Sequence, residues 1–368
     1  MKSAQRILLI AGMLLGLPLA GVWLSGQGLS AYLQFPPRTQ YVAHAPFSWP
    51  VFVVLALLIL GITLPFLIRI ARSVLPRSRT SATWTATNRV AEIQDLGFPW
   101  WGWLALALGG HCWILAWSRQ AWFEPYQLYT FTPQWLCYIV TLNALTWRRS
   151  GRCLLTHNTK FLLWLFPVSA VFWWFFEYLN RFVQNWYYIA CEDFTPLQYA
   201  AAATLSFSTV LPAVLSTEEW LASYPRSSAG LHRFIPIRIS KPKQLARVLL
   251  ALSAAGLFFI GWFPDQLFPL LWVAPLLLLM AFNTLRGGSF FPEIQTGDWR
   301  RVYRFCLAAL ICGFFWELWN WHSLAKWVYS VPYVARFHLF EMPILGYSGY
   351  LPFGLECAVV AELVRRRL

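Results

Sequence analysis

The sequence predicts an all-α polytopic integral membrane protein with about ten transmembrane helices. Two N-terminal helices are followed by a tandem parallel repeat of four helices each, at an offset of about 140 residues. Three observations carry that expectation. The chain is 58% hydrophobic and only 12% charged, where soluble domains are about 25% charged. Its basic residues crowd alternate connecting segments. Short motifs also recur at one shared spacing, which marks a duplicated unit.

Apolar stretches of about 20 residues match, as helices, the roughly 30 Å hydrocarbon core of a bilayer. Ten occur, at 7–25, 49–68, 99–117, 131–147, 161–180, 197–216, 247–263, 266–285, 302–320 and 343–364. Residues 1–72 form the N-terminal transmembrane pair. Lys2 and Arg6 precede its first apolar run in the manner of a signal peptide. Pro18 sits poorly at a cleavage site, so a retained anchor is expected.

A polar stretch, 73–97, is the first cytoplasmic linker, and 98–222 is the first four-helix repeat. A second linker, 223–244, carries Ser227, Ser228, Gly230, Pro236 and Pro242 among basic residues. Residues 245–368 are the second repeat. Four is an even number, so both copies enter the membrane from the same side, the parallel kind of repeat. No broken-helix pair is evident at matching places in the two copies.

The motif evidence is specific. Trp122-Phe123 recurs as Trp262-Phe263, Asn143 as Asn283, Phe175 as Phe315, and the Glu177/Asn180 pair as Glu317/Asn320. Ser208-x-x-Leu211-Pro212 recurs as Ser348-x-x-Leu351-Pro352, and Trp186-x-Tyr188 recurs one residue out of step as Trp327-x-Tyr329. Asn143 and Asn283 are expected to hydrogen-bond between helices.

The net charge of +14 follows topology. With the N-terminus inside, 24 of the 29 Lys and Arg residues fall on one side; only Arg38, Arg119, Arg181, Lys326 and Arg336 fall on the other. Such a bias places the basic side in the cytoplasm. The expected location is a bacterial-type inner (plasma) membrane with both termini cytoplasmic, and no nucleic-acid partner is needed to explain the charge. The seven cysteines show no CxxC and read as buried thiols, not a disulfide framework.

Two outward loops, 181–196 and 321–342, are too aromatic for ordinary solvated connections. Trp and Tyr gather at headgroup level, so short interfacial or re-entrant helices are expected there. The loop 26–48 is a third outward cover.

The candidate site centres on the acidic pairs. Glu177 and Asn180 share one helix face, extended by Trp173; Glu317 and Asn320 repeat it beside Trp316, with Gly313 leaving room for another backbone. A carboxylate at mid-bilayer costs about 2.5–3.5 kcal/mol, so such groups normally face a partner or a wet cavity. Glu356 lies near the middle of the tenth span, where Pro352 frees the carbonyl at 348, Ser348 can help satisfy the disturbed backbone, and the first copy has Ser216 in place of the acid. Glu177, Glu317 and Glu356 are therefore the acid/base candidates.

Asn180, Asn320, Trp173, Trp316 and Ser348 are substrate-binding candidates, and His322, Lys326, Arg336 and His338 could hold a headgroup phosphate. A structural alternative has Glu177 bridging Arg181 one turn on, or the acid–amide pairs serving as interhelical glue. His111 reads as a satisfied core histidine. No metal or cofactor motif is present, and none is expected.

Three functions fit. The first is binding or chemical processing of a lipid-like or isoprenoid-like molecule in an aromatic site, since aromatic walls with a few placed polar groups suit apolar ligands. The second is a proton-coupled transporter or flippase. The third is a structural subunit of a membrane complex with protein partners.

Overall fold

A computed structural model describes residues 3–37, 40–75 and 96–368. Most of the 73–97 linker lies outside the described residues. The long helices are α1 (Ser3–Leu24), α2 (Trp49–Val74), α3 (Trp100–Ser118), α4 (Phe131–Ser150), α5 (Thr159–Val183), α6 (Pro196–Phe207), α7 (Val210–Ala222), α8 (Pro242–Phe259), α9 (Leu270–Leu285), α10 (Arg300–Trp321) and α11 (Tyr350–Arg365). Four short strands complete the fold: β1 (Trp186–Ile189), β2 (Lys326–Tyr329), β3 (His338–Leu339) and β4 (Met342–Pro343).

Among the described residues, five helical segments are long and apolar enough to cross a membrane: Trp49–Val74, Thr159–Val183, Pro196–Ala222, Arg300–Trp321 and Ile344–Arg365. Leu9–Leu24 and Leu270–Leu285 are shorter apolar helices. None of α2's apolar window is buried in protein. A 26-residue apolar helix with no fully buried residue in that window belongs in lipid, because water would penalise every exposed aliphatic group.

The core is a helical bundle in which α3 packs on α4, α8 on α9, α5 on α7, and α10 on both α7 and α11. Glycine sets one close approach: a Cβ at Gly354 would lie 2.3 Å from the Phe305 carbonyl, so α11 meets the α10 backbone only because that side chain is missing.

The basic segments gather at one end of the bundle. Arg69 donates to the carbonyls of Gly230 and Arg233, Arg149 donates to Ser223, and Arg304 pairs with Glu218 at 2.7 Å. The strands occupy the other end. There, His44 Nδ1 lies 2.6 Å from Asp265 and the Ala45 amide donates to the same carboxylate, pinning the 40–48 segment over the Pro264–Leu267 turn.

Two expectations are corrected. The aromatic covers at 181–196 and 321–342 are not short helices: β1 and β2 pair antiparallel, with Trp186 opposite Tyr329 and Tyr188 opposite Trp327. The runs WYYI and KWVY are aromatic and β-branched, the residues that fit a pleated, half-buried surface. The sixth predicted span is also not one continuous helix, since α6 ends at Phe207 and α7 begins at Val210.

A matching interruption occurs before α11, where Ile344–Gly349 is a 3₁₀ turn. Ser208 Oγ donates to the Leu205 carbonyl and Ser348 Oγ to the Leu345 carbonyl, 2.6 and 2.7 Å. Matched breaks therefore exist where the sequence showed none.

Candidate functional site

Glu177 and Asn180 lie in the last turns of α5, and Glu317 and Asn320 in the last turns of α10. All four are buried. Each Asn is a clamp on the strand that follows. Asn180 Nδ2 donates to the Trp186 carbonyl at 2.8 Å, and its Oδ1 accepts from the amides of Asn185 and Trp186. Asn320 Nδ2 donates to the Trp327 carbonyl at 2.8 Å, and its Oδ1 accepts from the Trp327 amide at 2.9 Å. The second connection is one residue longer, which is where the 140-residue spacing becomes 141.

Each Glu takes the tyrosine of the same strand. Tyr188 donates to Glu177 Oε1 at 2.6 Å, joined by the indoles of Trp173 and Trp186 at 3.1 Å each. Tyr329 donates to Glu317 Oε1 at 2.7 Å and Tyr350 at 2.9 Å. Burial first, then the adjacent carboxylate, holds the Tyr188 and Tyr329 hydroxyls well above their ordinary value of 10.0, so both remain donors. Gly313 admits a ring, not a backbone: a Cβ there would sit 2.3 Å from the Tyr350 ring, so its absence lets that hydroxyl reach Glu317.

Above these clusters lies a chamber with an empty volume of about 1200 Å³, partly open to the surroundings. Trp173, Trp186, Trp272, Trp316, Tyr329 and Tyr350 supply much of its wall, and Ala202, Ala203, Gly346 and Gly349 its small-residue surface. The lining is drawn from both sides of the two helix breaks, with Ser206, Phe207 and Val210 on one and Gly349 and Tyr350 on the other. These aromatic side chains line the space while several of their polar tips are spent on Glu177 and Glu317, which are not among the lining residues.

Of the residues expected at the site, Trp173, Trp316 and Lys326 line the chamber. Glu177, Glu317, Asn180 and Asn320 support it from behind. Ser348 sits in the adjoining 3₁₀ turn. Glu356 is elsewhere: buried in α11, it accepts the Leu276 amide at 3.1 Å, beside Pro275, which interrupts the α9 ladder. It is not among the lining residues.

The supposed phosphate quartet does not converge. Lys326 is committed to Glu341. The Arg336 guanidinium lies 5.1 Å from the Phe47 ring centroid. His322 packs against Trp321, and His338 is exposed in β3.

The local bridge from Glu177 to Arg181 is also replaced, because Arg181 turns its guanidinium to the Tyr32 carbonyl. His111 lies on an exposed face of α3, not in the core. Asn143 does bond between helices, to Ser216 at 2.9 Å, whereas Asn283 Nδ2 has no partner.

Trp186, Tyr188, Tyr329 and Trp327 were visible in the sequence as a recurring motif, yet were assigned to the membrane interface instead of the site. Trp272 and Tyr350 carried no such signal. No family model, curated protein or solved structure matches the chain. Fold and site together define a helical, membrane-embedded protein with an aromatic chamber at its strand end.

Proposed function

We propose that the protein binds a lipid-like or isoprenoid-like apolar molecule in this chamber, in the periplasmic half of an inner membrane that it crosses about ten times with both termini cytoplasmic. The observation that carries the reading is the wall itself, built mainly from aromatic and small residues drawn from both halves of the chain. Clefts of this kind, apolar with a few placed polar groups, are what drug-sized and lipid-sized ligands occupy. Binding is favoured over acid/base chemistry because Glu177 and Glu317 stand behind the rings and are already engaged by them.

The tandem duplication is supported by the paired Asn clamps, the paired Glu–Tyr bonds and the self-complementary strand register. A pseudo-twofold axis along the membrane normal would then pass through the β1–β2 ribbon.

Native mass spectrometry of the purified protein tests the reading. The expected result is a retained apolar molecule in the wild type that is lost in Ala203→Trp, which fills the chamber, with the helical content unchanged. Identical lipid adducts in both proteins would remove the chamber from the account. Movement of a lipid between leaflets is the second reading, favoured by the two helix breaks that border the chamber. It predicts transfer of a labelled lipid in proteoliposomes, and a flat baseline would refute it.

A further inference from the structure

The charge around the chamber is unbalanced, and that narrows the ligand class. Glu177 and Glu317 are 1% and 0% exposed. Every group that hydrogen-bonds to them is neutral: indole N–H groups and tyrosine hydroxyls. The second oxygen of each has no protein partner. Of the nearby cations, Lys326 is paired with Glu341, and Arg181 donates to the Tyr32 carbonyl while its charge acts on Glu177, so among the described residues it is Glu317 that has no cation beside it. Buried charges are normally paired, because an isolated one is costly to keep out of water.

The rings supply the other half of the argument. A cation over the face of Trp or Tyr is attracted by the ring quadrupole, and more strongly where water is excluded. Donating the phenol or indole hydrogen to a carboxylate leaves the ring richer in electrons, which deepens that attraction. Here Tyr188, Tyr329, Tyr350, Trp173 and Trp186 all donate in this way and all line the space. Anionic heads find no matching cluster, since the one lining lysine is already neutralised.

We infer that the chamber accepts an organic cation, a quaternary or protonated amine at the head of an apolar body, held on ring faces and balanced by the two buried carboxylates behind them. This rests on the chamber being a ligand site, as proposed above. A lipid headgroup and a free amine share the same chemistry.

The test uses the full-length protein in lipid nanodiscs and a matched pair of probes: decyl choline ether and its uncharged isostere, decyl 3,3-dimethylbutyl ether. Quenching of tryptophan emission reports binding. The expected result is at least a ten-fold preference for the charged probe. That preference should fall toward unity in Glu317→Gln and in Trp272→Leu while the isostere still binds, which shows that the chamber is intact. Free choline is the third arm: binding as tight as that of decyl choline ether identifies a soluble amine, and much weaker binding identifies a lipid.

Equal binding of charged and uncharged probes would overturn the cation inference and leave the apolar-ligand reading standing. A preference that survives both substitutions would overturn the assignment to these carboxylates and rings. Failure of all probes to bind would overturn the ligand chamber and this inference with it.

Discussion

Asn180 and Asn320 do the same work with the same atoms, and neither residue touches the chamber. Each amide satisfies a carbonyl and an N–H where its strand starts: Asn180 at Asn185 and Trp186, the first residue of β1, and Asn320 at Trp327, the second residue of β2. Replacing Asn320 with Leu would leave the Trp327 N–H and C=O unpaired in a buried place. An unsatisfied buried group costs about 1–3 kcal/mol, so a loss of about 2–4 kcal/mol is expected, read as a lower unfolding midpoint in detergent. Asn180→Leu should cost a similar amount, and a negligible effect at both positions would contradict the clamp.

Cys191 reports on the same region from the lining of the chamber. Burial, reinforced by Glu192, pushes its thiol up to about 11 from 9.0. The thiolate is the reactive form, so alkylation should be slow at pH 7–8 and accelerate as pH rises toward 11. A bound ligand should slow it further. Peptide mapping after iodoacetamide treatment checks this; fast labelling at neutral pH would show an open, solvated thiol.

At the scale of elements, the ribbon of β1 and β2 joins the two halves of the chain across 140 residues of sequence. Tyr187 lies opposite Val328, and Cα atoms of opposed residues are about 4.5–5.5 Å apart, within the range a disulfide spans. The double variant Tyr187→Cys/Val328→Cys should therefore oxidise to a cross-link between the halves, detected after cleavage in the 223–244 segment. Tyr187→Cys/Trp327→Cys, one register away, should not. Equal cross-linking in both would show that the register is not fixed.

The helices were largely legible in the sequence, because about 20 apolar residues between charged segments admit few alternatives. The ribbon was not. Aromatic residues at a membrane boundary predict interfacial helices, and the four-residue runs WYYI and KWVY are too short for periodicity to tell strand from helix. The helix break at Ser208 was hidden for a different reason: Ser169, on another helix, donates to the Phe207 carbonyl and accepts from the Leu211 amide, so the freed groups are satisfied by tertiary contact. Local pattern carries no record of such a partner. The acidic pairs recur plainly in the sequence, but which strand each one holds depends on the ribbon.

Across the whole molecule, one end is basic and polar and the other aromatic, with no residue of α2's apolar window fully buried in protein. That polarity fits a protein that holds its ligand at one leaflet while anchoring its charged loops at the opposite surface. The two helix breaks, the three acid–tyrosine bonds and the ribbon all meet around a single space drawn from both halves of the chain. Occupation of that space is the central claim.

Electron cryomicroscopy of the protein in nanodiscs made from its native lipids tests it most directly. Elongated non-protein density is expected among Trp173, Trp272, Trp316 and Tyr329, reaching Ala203 on the lining. A chamber closed by collapsed rings, or one filled only by scattered solvent at a resolution that shows its side chains, would contradict it.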